Sequence, residues 1–354
     1  MIGRSIRKMN RMHQLPVIAL IVLFAITGCR KDKPESPVET PVTIGEGRGV
    51  YITNEGNFQW GNAKVSYYDI TSATVTEDLY EPANGVSIGD VCQSMVLHDN
   101  KAYVVVNNSG KVVVVDPNTF TATATITGFT SPRYILPVSN GKAYVSDFYA
   151  SSIAVVDLAS NSITGHIPSS AATQELALAV GKVFVTNETR GEVHVVDPAT
   201  DVVLDTIAVS RGANSIVEDA DGKLWVACTG GGGTPSALYR IDPQTAQVEA
   251  SFPFPNASDS PWRLSITGGK DTLYFLNGGA YRMAITDSSL PASAFVPADG
   301  RNLYALGVDP VDGTIYLSDA IDYVQRGMIY RYRPDGSLLN TFHAGTIPGS
   351  FCFR

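Results

Sequence analysis

Nearly the same run of residues occurs seven times along this chain, and internal repetition constrains a fold more strongly than any local pattern. One copy reads VFVTNETRGEVHVVDPAT from Val183, and another reads AYVVVNNSGKVVVVDPNT from Ala102. The second apolar segment of each copy closes at Asp69, Asp116, Asp157, Asp197, Asp242, Asp287 and, in degenerate form, Arg333. These positions are 40 to 47 residues apart, which is the length of one four-stranded blade of a β-propeller.

Each repeat divides into four short strands. In the third repeat the segments are SPRYILPV, KAYVSD, SIAVVD and SITGHI, and Gly, Asn and Asp separate such segments along the chain. The second and third strands are apolar nearly throughout, as at residues 112–115, which indicates sheets covered on both faces by neighbouring blades. The sequence therefore predicts an all-β fold, a seven-bladed β-propeller with four-stranded blades.

The two ends of the repeated region complete one another. The first repeat begins with a second-strand segment at Val50 and has no first strand before it, whereas the chain ends in PGSFCFR, which aligns with the first strands of the other repeats. We therefore predict that residues 349–354 form the innermost strand of the N-terminal blade. Such closure leaves the ring without open sheet edges.

The N-terminal residues have the features of a bacterial secretion signal. Four basic residues precede an apolar run at residues 15–26, which is too short to cross a bilayer as a helix. The run ends in Ile-Thr-Gly-Cys, the pattern that signal peptidase II recognises, so we predict lipidation at Cys29. The predicted domains are a lipoprotein signal at 1–28, a lipidated flexible tether at 29–47 and the propeller at 48–354.

Charge and cysteine content narrow the possible partners. The formal net charge is −8, and it becomes −12 without the predicted signal, which carries four basic residues and no acidic ones. This acidity argues against nucleic acid as a partner. Cys92, Cys228 and Cys352 form no CxxC pair, so neither a disulfide framework nor a structural zinc site is indicated. The histidines are scattered without metal-ligand spacing, and no metal site is predicted.

These residues resemble a known family. The YVTN-like strands followed by VVDP are similar to those of the YncE-like seven-bladed propellers, over about residues 48–354. More narrowly, the lipoprotein signal together with GMIYRYRPDG and IPGSFCFR resembles the BtuG group, the cobalamin-binding surface lipoproteins of gut bacteria. This resemblance implies a lipid-anchored outer-membrane protein, exposed at the cell surface, that captures cobalamin or a related corrinoid. It also implies delivery to a TonB-dependent, BtuB-like transporter, with cobalamin as a bound ligand and not a catalytic cofactor, and no enzymatic activity.

The predicted binding residues lie where the repeats differ. In a propeller, the loops between second and third strands, and those leading to the next blade, surround the channel on one face, where ligands usually bind. Exposed aromatics there are costly unless they cover a ligand, and they are Phe58, Trp60, Phe148, Tyr149 and Tyr323. The heads of the innermost strands add Arg133, Tyr134, Gln174, Trp262, Arg263 and Tyr304. Second-strand ends and further loop arginines add Asn54, Asn107, Asp147, Asn187, Asn277, Asp319, Arg190 and Arg326.

Some of these residues have a second interpretation. Asn and Asp side chains at strand ends also satisfy loop backbone groups, and the arginines can pair with local carboxylates. The four glycines at 230–233 lack the following helix and the Lys-Ser/Thr pair of a phosphate-binding loop, and we interpret them as a flexible loop.

The predicted face suits a large, flat ligand fringed with amides. A corrin ring has apolar edges and a border of amide groups, which Asn, Gln, Asp, Arg and Tyr side chains can match. Composition permits this ligand, and only the resemblance selects it. Two alternatives remain open. One is a hydrolase or lyase acting on a sugar or lactone, if Asp147, Glu188 and Asp319 converge on the channel. The other is a protein-interaction scaffold without a small ligand.

Overall fold

The computed structural model describes residues 41–45 and 47–354. The predicted signal, the lipidation site at Cys29 and most of the predicted tether lie outside the described residues. Within the described part, no helix is both long enough and apolar enough to span a membrane.

Residues 48–354 form seven antiparallel sheets of four strands each, arranged as the blades of a propeller. From the channel outward, blade 1 contains β28 (Pro348–Phe353), β1 (Gly49–Asn54), β2 (Lys64–Asp69) and β3 (Thr74–Thr76). Blade 2 contains β4 (Cys92–His98), β5 (Lys101–Val106), β6 (Lys111–Val115) and β7 (Ala122–Thr127). Blade 3 contains β8 (Pro132–Ser139), β9 (Lys142–Asp147), β10 (Ser152–Asp157) and β11 (Ser162–Pro168).

The other four blades have the same order. Blade 4 contains β12 (Thr173–Ala179), β13 (Lys182–Asn187), β14 (Glu192–Asp197) and β15 (Val202–Ala208). Blade 5 contains β16 (Ala213–Glu218), β17 (Leu224–Cys228), β18 (Ala237–Asp242) and β19 (Gln247–Pro253). Blade 6 contains β20 (Trp262–Ile266), β21 (Thr272–Leu276), β22 (Gly279–Ala284) and β23 (Val296–Pro297). Blade 7 contains β24 (Leu303–Val308), β25 (Ile315–Asp319), β26 (Arg326–Tyr332) and β27 (Leu338–Thr346). A short helix, α1 (Tyr80–Asn84), lies between blades 1 and 2.

The ring is closed by the last strand of the chain. β28 pairs antiparallel with β1, placing Cys352 opposite Tyr51, and it contacts β4 and β24, the first strands of the two neighbouring blades. Arg354 extends this pairing, because its backbone N–H donates to Gly49 O at 2.9 Å and its guanidinium donates to Tyr51 Oη at 3.1 Å. The predicted fold class is therefore confirmed, as is the innermost position of residues 349–354 in the N-terminal blade.

The hydrophobic core lies between neighbouring blades. Val105 and Val112 of blade 2 cluster with Val145 and Val156 of blade 3, and all four are fully buried. Burial on both faces explains why the second and third strands are apolar without alternation. The outermost strands are more exposed, as in β15, so they contribute less to the core.

Candidate functional site

Every blade has the same irregularity near the start of its first strand. The pairing between the first and second strands shifts register there. Within the shift, the first strand has one residue more than the second strand opposite it. Such β-bulges turn side chains out of the regular alternation. The residues within the shifts are Gln93, Arg133, Tyr134, Gln174, Glu175, Asn214, Arg263, Leu264, Tyr304 and Gly349. Because the first strands surround the channel, the bulges bring most of these side chains to its mouth.

A pocket of about 430 Å³ occupies the channel mouth. Six residues predicted from the sequence to bind a ligand meet in its lining, and they are Arg133, Tyr134, Gln174, Trp262, Arg263 and Tyr304. Gln93, Glu175 and Asn214 complete the contribution of the bulges, and Glu55 and Glu188 enter from the loops between second and third strands. The site is therefore rich in amides, carboxylates and guanidinium groups.

A chain of hydrogen bonds crosses blades 2, 3 and 4 on one side of this pocket. Arg133 donates from Nη1 to Gln93 Oε1 at 2.6 Å and from Nε to Gln174 Oε1 at 2.9 Å. Gln174 in turn donates from Nε2 to Glu188 Oε2 at 2.5 Å. The Nε2 group of Gln93 is buried and has no hydrogen-bond partner among the described residues. A buried amide donor without a partner is costly, so this group favours a ligand that supplies an acceptor.

Arg263 organises the opposite side of the pocket. It donates from Nη1 to Tyr134 Oη at 3.1 Å, and its guanidinium carbon lies 5.0 Å from the centroid of the Trp262 ring. Its Nη2 lies 3.9 Å from Glu55 Oε1, and Tyr304 Oη donates to the other carboxylate oxygen of Glu55 at 3.0 Å. One cation thus contacts a tyrosine, a tryptophan and a carboxylate in the pocket, and Tyr304 is hydrogen-bonded to the same carboxylate.

The glycine in the bulge of blade 1 makes room for Glu55. A Cβ atom at position 349 would lie 2.8 Å from Glu55 Oε1, closer than real side-chain carbons approach such an atom. Gly349 therefore allows the Glu55 carboxylate to reach Arg263 and Tyr304 without a clash.

Two carboxyl groups in the pocket have raised pKa values. Burial raises the pKa of Glu55 above its usual range, against the opposing influence of Arg263 and of the Tyr304 hydroxyl. Burial also raises the pKa of Glu175 to about 7, although its Oε2 accepts the Ile216 N–H at 3.1 Å. Near neutral pH the Glu175 carboxyl is therefore present in both protonation states, and it can donate as well as accept a hydrogen bond.

Replacing Glu175 with Gln should make the protein more stable at alkaline pH. The pKa of Glu175 is about 7 in the folded protein, against an ordinary value of 4.5, so the fold favours the protonated form. Its contribution to stability is therefore full below pH 4.5 and is lost as the pH rises through 7, at about 1.4 kcal/mol per pKa unit. We expect Glu175→Gln to raise the free energy of unfolding by about 3 kcal/mol at pH 8 and to change it little at pH 4.5.

Guanidinium denaturation at the two pH values measures this difference. The matched control is Glu81→Gln, which makes the same change at an exposed residue of α1. Identical pH dependence of the Glu175→Gln and wild-type proteins would contradict the assignment.

A second pocket of about 350 Å³ adjoins the first on the rim. Phe58, Phe148 and Tyr149 line it, and the Phe148 and Tyr149 rings meet edge to face with centroids 5.1 Å apart. Arg133 lies between the two pockets, with its guanidinium carbon 5.5 Å from the centroid of the Phe148 ring. Gln174 and Glu188 also line both pockets, so the two form one continuous surface.

The other predicted aromatics lie on the same face. Tyr323 packs edge to face on Tyr304 with ring centroids 5.8 Å apart, and its carbonyl accepts a hydrogen bond from Asn57 Nδ2 at 2.7 Å. Trp60 belongs to the same loop as Phe58 but lines neither pocket. Its side chain is exposed to solvent over 77% of its surface. Phe58 and Tyr149 are 63% and 70% exposed. This rim therefore presents an aromatic surface that the fold itself does not cover.

The predicted Asn and Asp residues at the ends of second strands have structural partners. Asn54 accepts the N–H of Gly345, near the end of β27, at 2.8 Å. Asp319 accepts the N–H of Asn302, in the loop before β24, at 2.9 Å, so each holds the segment that leads into the first strand of its own blade. The same kind of contact with a neighbouring loop is made by Asn107, Asp147, Asn187 and Asn277. These contacts favour the loop-capping interpretation, and ligand binding by these residues stays a prediction.

Two of the carboxylates considered for catalysis are used in the same way. Asp147 accepts backbone N–H groups of Thr130 and Ser131, and neither Asp147 nor Asp319 lines the pocket at the channel mouth. Of the three candidates, Glu188 does line it. Among the described residues, no group of three or more His, Cys, Asp or Glu is placed to hold a metal ion.

Two predicted arginines lie away from the pocket. Arg326 forms an ion pair with Glu77 at 3.0 Å and donates to Ala344 O at 3.0 Å. Arg190 lines a different groove, on the outer side of blade 4. The structure therefore does not bring either of them to the residues of the channel mouth.

Glu175 is the main pocket residue that was not predicted. It follows Gln174 in the bulge of blade 4, just as Tyr134 follows Arg133 in the bulge of blade 3. Aligning these adjacent pairs between the repeats would have indicated that Glu175 also lies at the channel. The sequence does not single out Glu55 either, because its approach to Arg263 depends on Gly349, more than 290 residues later in the chain.

The fold and site together define a β-propeller with a polar pocket at the channel mouth and an aromatic rim. Residues 48–332 match the family model described as a domain of unknown function, DUF5074. The chain belongs to this family. A comparison with curated proteins gives no match.

Solved structures with the same fold are distant in sequence. A quinonprotein alcohol dehydrogenase-like protein from Bacteroides thetaiotaomicron is 16% identical with a TM-score of 0.67, over 86% of this chain and 78% of that one. A functionally unknown protein from Desulfotomaculum acetoxidans is 11% identical with a TM-score of 0.66, over 87% and 98% of the two chains. BamB from Moraxella catarrhalis is 15% identical with a TM-score of 0.57, over 89% and 88%. Likeness at this level extends to the propeller fold alone.

Proposed function

We propose that this protein is a non-enzymatic binding protein that captures cobalamin or a related corrinoid. The observation that carries the proposal is the continuous surface formed by the channel-mouth pocket and the aromatic rim pocket. Arg133, Gln174 and Glu188 line both pockets, so one large ligand can contact the polar mouth and the exposed aromatics together. The similarity of the signal and the C-terminal segment to the BtuG group selects the corrinoid from among large, flat ligands.

The chemistry of the pocket matches the fringe of a corrin ring. The ring carries amide groups that both donate and accept hydrogen bonds, and the pocket offers partners of both kinds. Gln93 Nε2 is a buried donor without a partner among the described residues, and the Glu175 carboxyl can serve either role near neutral pH. Phe58 and Tyr149 supply flat apolar surface for the ring edges. The cobalt brings its own axial ligands, so no protein histidine is needed.

Location and transfer are part of the same proposal. A lipid at Cys29 would hold the propeller at the outer membrane, exposed at the cell surface, and the captured corrinoid would pass to a TonB-dependent transporter. Both steps are supported by the N-terminal sequence and by the resemblance. Capture and release need no bond to be made or broken, so we propose no catalytic residue.

Titration of the purified protein with cyanocobalamin tests the proposal. We expect saturable binding with one corrinoid per chain, followed by the visible absorbance of the corrin and by calorimetry. Co-elution of the corrin with the protein from a desalting column is a simpler form of the same test. Elution of all the corrin as free ligand from this column, at a micromolar protein concentration, would contradict the proposed function.

Replacing Tyr149 with Ala should weaken corrinoid binding by about 2 kcal/mol, roughly 30-fold, as is typical of a buried aromatic contact at an interface. Phe58→Ala should have a similar effect, and Trp60→Ala tests whether the ligand extends beyond the rim pocket. The matched control is Val311→Ala, which truncates an apolar side chain that is 71% exposed in the hairpin between β24 and β25, on the opposite face. Unchanged affinity in both the Tyr149 and the Phe58 variants would place the ligand elsewhere.

A further inference from the structure

A groove of about 890 Å³ runs along the outer side of blade 4 and is not part of the channel mouth. Loops between β11 and β12, β13 and β14, and β15 and β16 surround it, together with the outer strands of blade 4. Its polar lining includes Ser170, Thr189, Arg190, Glu192, His194 and Arg211. The mechanism proposed above uses none of these side chains.

Two exposed arginines in this groove have no acidic partner in the described structure. The side chains of Arg190 and Arg211 form no ion pair and no hydrogen bond with any described residue. Their backbone N–H groups donate to Asn187 Oδ1 and to Thr234 Oγ1 respectively. Their loops pack together, because Val209 N–H donates to Gly191 O at 2.9 Å. Two like charges on adjoining loops repel one another weakly in water, and an anion bound between them would turn this repulsion into attraction.

The glycine run at 230–233 holds the second arginine in position. A Cβ atom at Gly232 would lie 2.9 Å from Arg211 Cδ and 3.0 Å from its Nη1, so the Arg211 side chain lies directly against this backbone. Gly230 N–H also donates to Arg211 O at 2.9 Å. The glycines therefore make close contact with the arginine, which the flexible-loop interpretation did not foresee.

A buried histidine lies in the wall of the groove. His194 is 5% exposed, and neither ring nitrogen has a hydrogen-bond partner among the described residues. Glu192 Oε1 lies 3.7 Å from His194 Nε2 and accepts a hydrogen bond from Ser170 Oγ at 3.3 Å. An imidazole buried without partners is costly in the free protein, so it favours a bound group that completes its hydrogen bonding.

We infer that this groove is a second binding site, for a sugar that carries an oxyanion such as a phosphate or a carboxylate. Guanidinium groups bind such anions through paired, charge-assisted hydrogen bonds. The hydroxyls of Ser169, Ser170 and Thr189 match the ring hydroxyls of a sugar, and the cavity is far larger than a free inorganic anion requires. The carboxylate of Glu192 repels a bound anion, but the two guanidinium groups leave the groove with a net positive charge. The site is independent of the corrinoid proposal, since it shares no lining residue with either pocket of that surface.

Calorimetric titration of the protein with glucose 6-phosphate, glucuronate, glucose and inorganic phosphate tests the inference. We expect one or both anionic sugars to bind more tightly than glucose and more tightly than inorganic phosphate, and the comparison of the two distinguishes phosphate from carboxylate. Equal binding of glucose and both anionic sugars, or no binding of either anionic sugar, would overturn the inference. Inorganic phosphate binding as tightly as glucose 6-phosphate would overturn its sugar part.

Variants locate the site and separate it from the channel mouth. Arg190→Met with Arg211→Met should weaken binding of the anionic sugar by about 10-fold or more, because the charge-assisted hydrogen bonds to the oxyanion are lost. Glu192→Gln should strengthen it, because a repulsive charge is removed, and the ring resonances of His194 should shift on binding. Cyanocobalamin affinity should be unchanged in the double arginine variant. Unchanged or tighter anionic-sugar binding in that variant, or weaker binding in Glu192→Gln, would contradict the assigned site.

Discussion

A chain that lacks residues 348–354 should fail to form the closed ring. These residues supply β28, the first strand of blade 1, and no other described segment pairs with the inner edge of β1. Their removal also takes away Phe351 and Phe353, which pack against Tyr316 of blade 7 with ring centroids 5.7 and 5.3 Å apart. Blades 2 and 7 would then face a gap, because β4 and β24 both contact β28.

The expected loss is comparable with the whole stability of a folded domain. Each lost strand hydrogen bond contributes about 1 kcal/mol. Removal of β28 also uncovers fully buried side chains of its neighbours, such as Ile52, each worth about 1.5–3 kcal/mol when buried, whereas native proteins are stable by only about 5–15 kcal/mol. We therefore expect the truncated chain to show no cooperative thermal transition by circular dichroism and to elute as aggregate, since β1 becomes an open edge.

A circular permutant provides the matched control. Arg354 N–H lies 2.9 Å from Gly49 O, so a short linker can join residue 354 to residue 48. New ends at residues 140 and 141, in the exposed hairpin between β8 and β9, would leave every strand intact. This permutant should unfold cooperatively near the wild-type melting temperature. A truncated chain that melts as the wild type does would show that β28 is dispensable for closure.

The fold could be predicted from the sequence because every blade buries its second and third strands on both faces. A second and a third strand that are covered on both faces must be apolar throughout, and this pattern recurs every 40 to 47 residues. In blade 3, the predicted segments coincide with β8 to β11 to within one residue at each end. The absence of a first strand before Val50 then fixed the position of the last residues in the ring.

The site could be predicted only in part, because the position of a side chain depends on the bulges. Residues at the heads of the first strands were expected at the channel, and Arg133, Gln174 and Tyr304 do line its mouth. The register shifts themselves were not predicted from the sequence, so Glu175 was not expected beside Gln174.

Loop residues were harder still to place. Arg190 lies in a loop between a second and a third strand, and Arg326 lies at the end of such a loop. Arg190 lines the outer groove of blade 4, whereas Arg326 forms an ion pair with Glu77. An Asn or Asp at a strand end can hold a loop or meet a ligand with the same atoms, and the sequence does not distinguish these roles.

Replacing Arg263 with Met should destabilise the protein strongly at pH 8 and much less at pH 5. Arg263 is 11% exposed in its side chain and is the cation nearest to the buried carboxylate of Glu55. It also lowers the pKa of Glu175, which burial raises to about 7. Without the guanidinium, both carboxylates would be buried with less compensation, and breaking a buried ion pair in this way costs about 3–5 kcal/mol.

The dependence on pH follows from the direction of these pKa values. Burial raises the pKa of both carboxyl groups, and loss of Arg263 raises it further, so the folded variant takes up protons as the pH falls from 8 to 5. The protonated groups no longer need a cation, and the difference from the wild type should shrink towards the cost of lost packing alone. Urea denaturation at pH 5, 6.5 and 8 measures this difference.

Two further variants show whether the buried charge is the cause. Arg326→Met removes an arginine whose side chain is 48% exposed in its pair with Glu77, and it should cost about 1 kcal/mol or less at every pH. Glu55→Gln combined with Arg263→Met should recover much of the stability lost at pH 8, because one uncompensated carboxylate is removed with the cation. If the Arg263 variant were equally destabilised at pH 5 and pH 8, and the double variant recovered nothing, then Arg263 would stabilise the channel by packing and not by balancing charge.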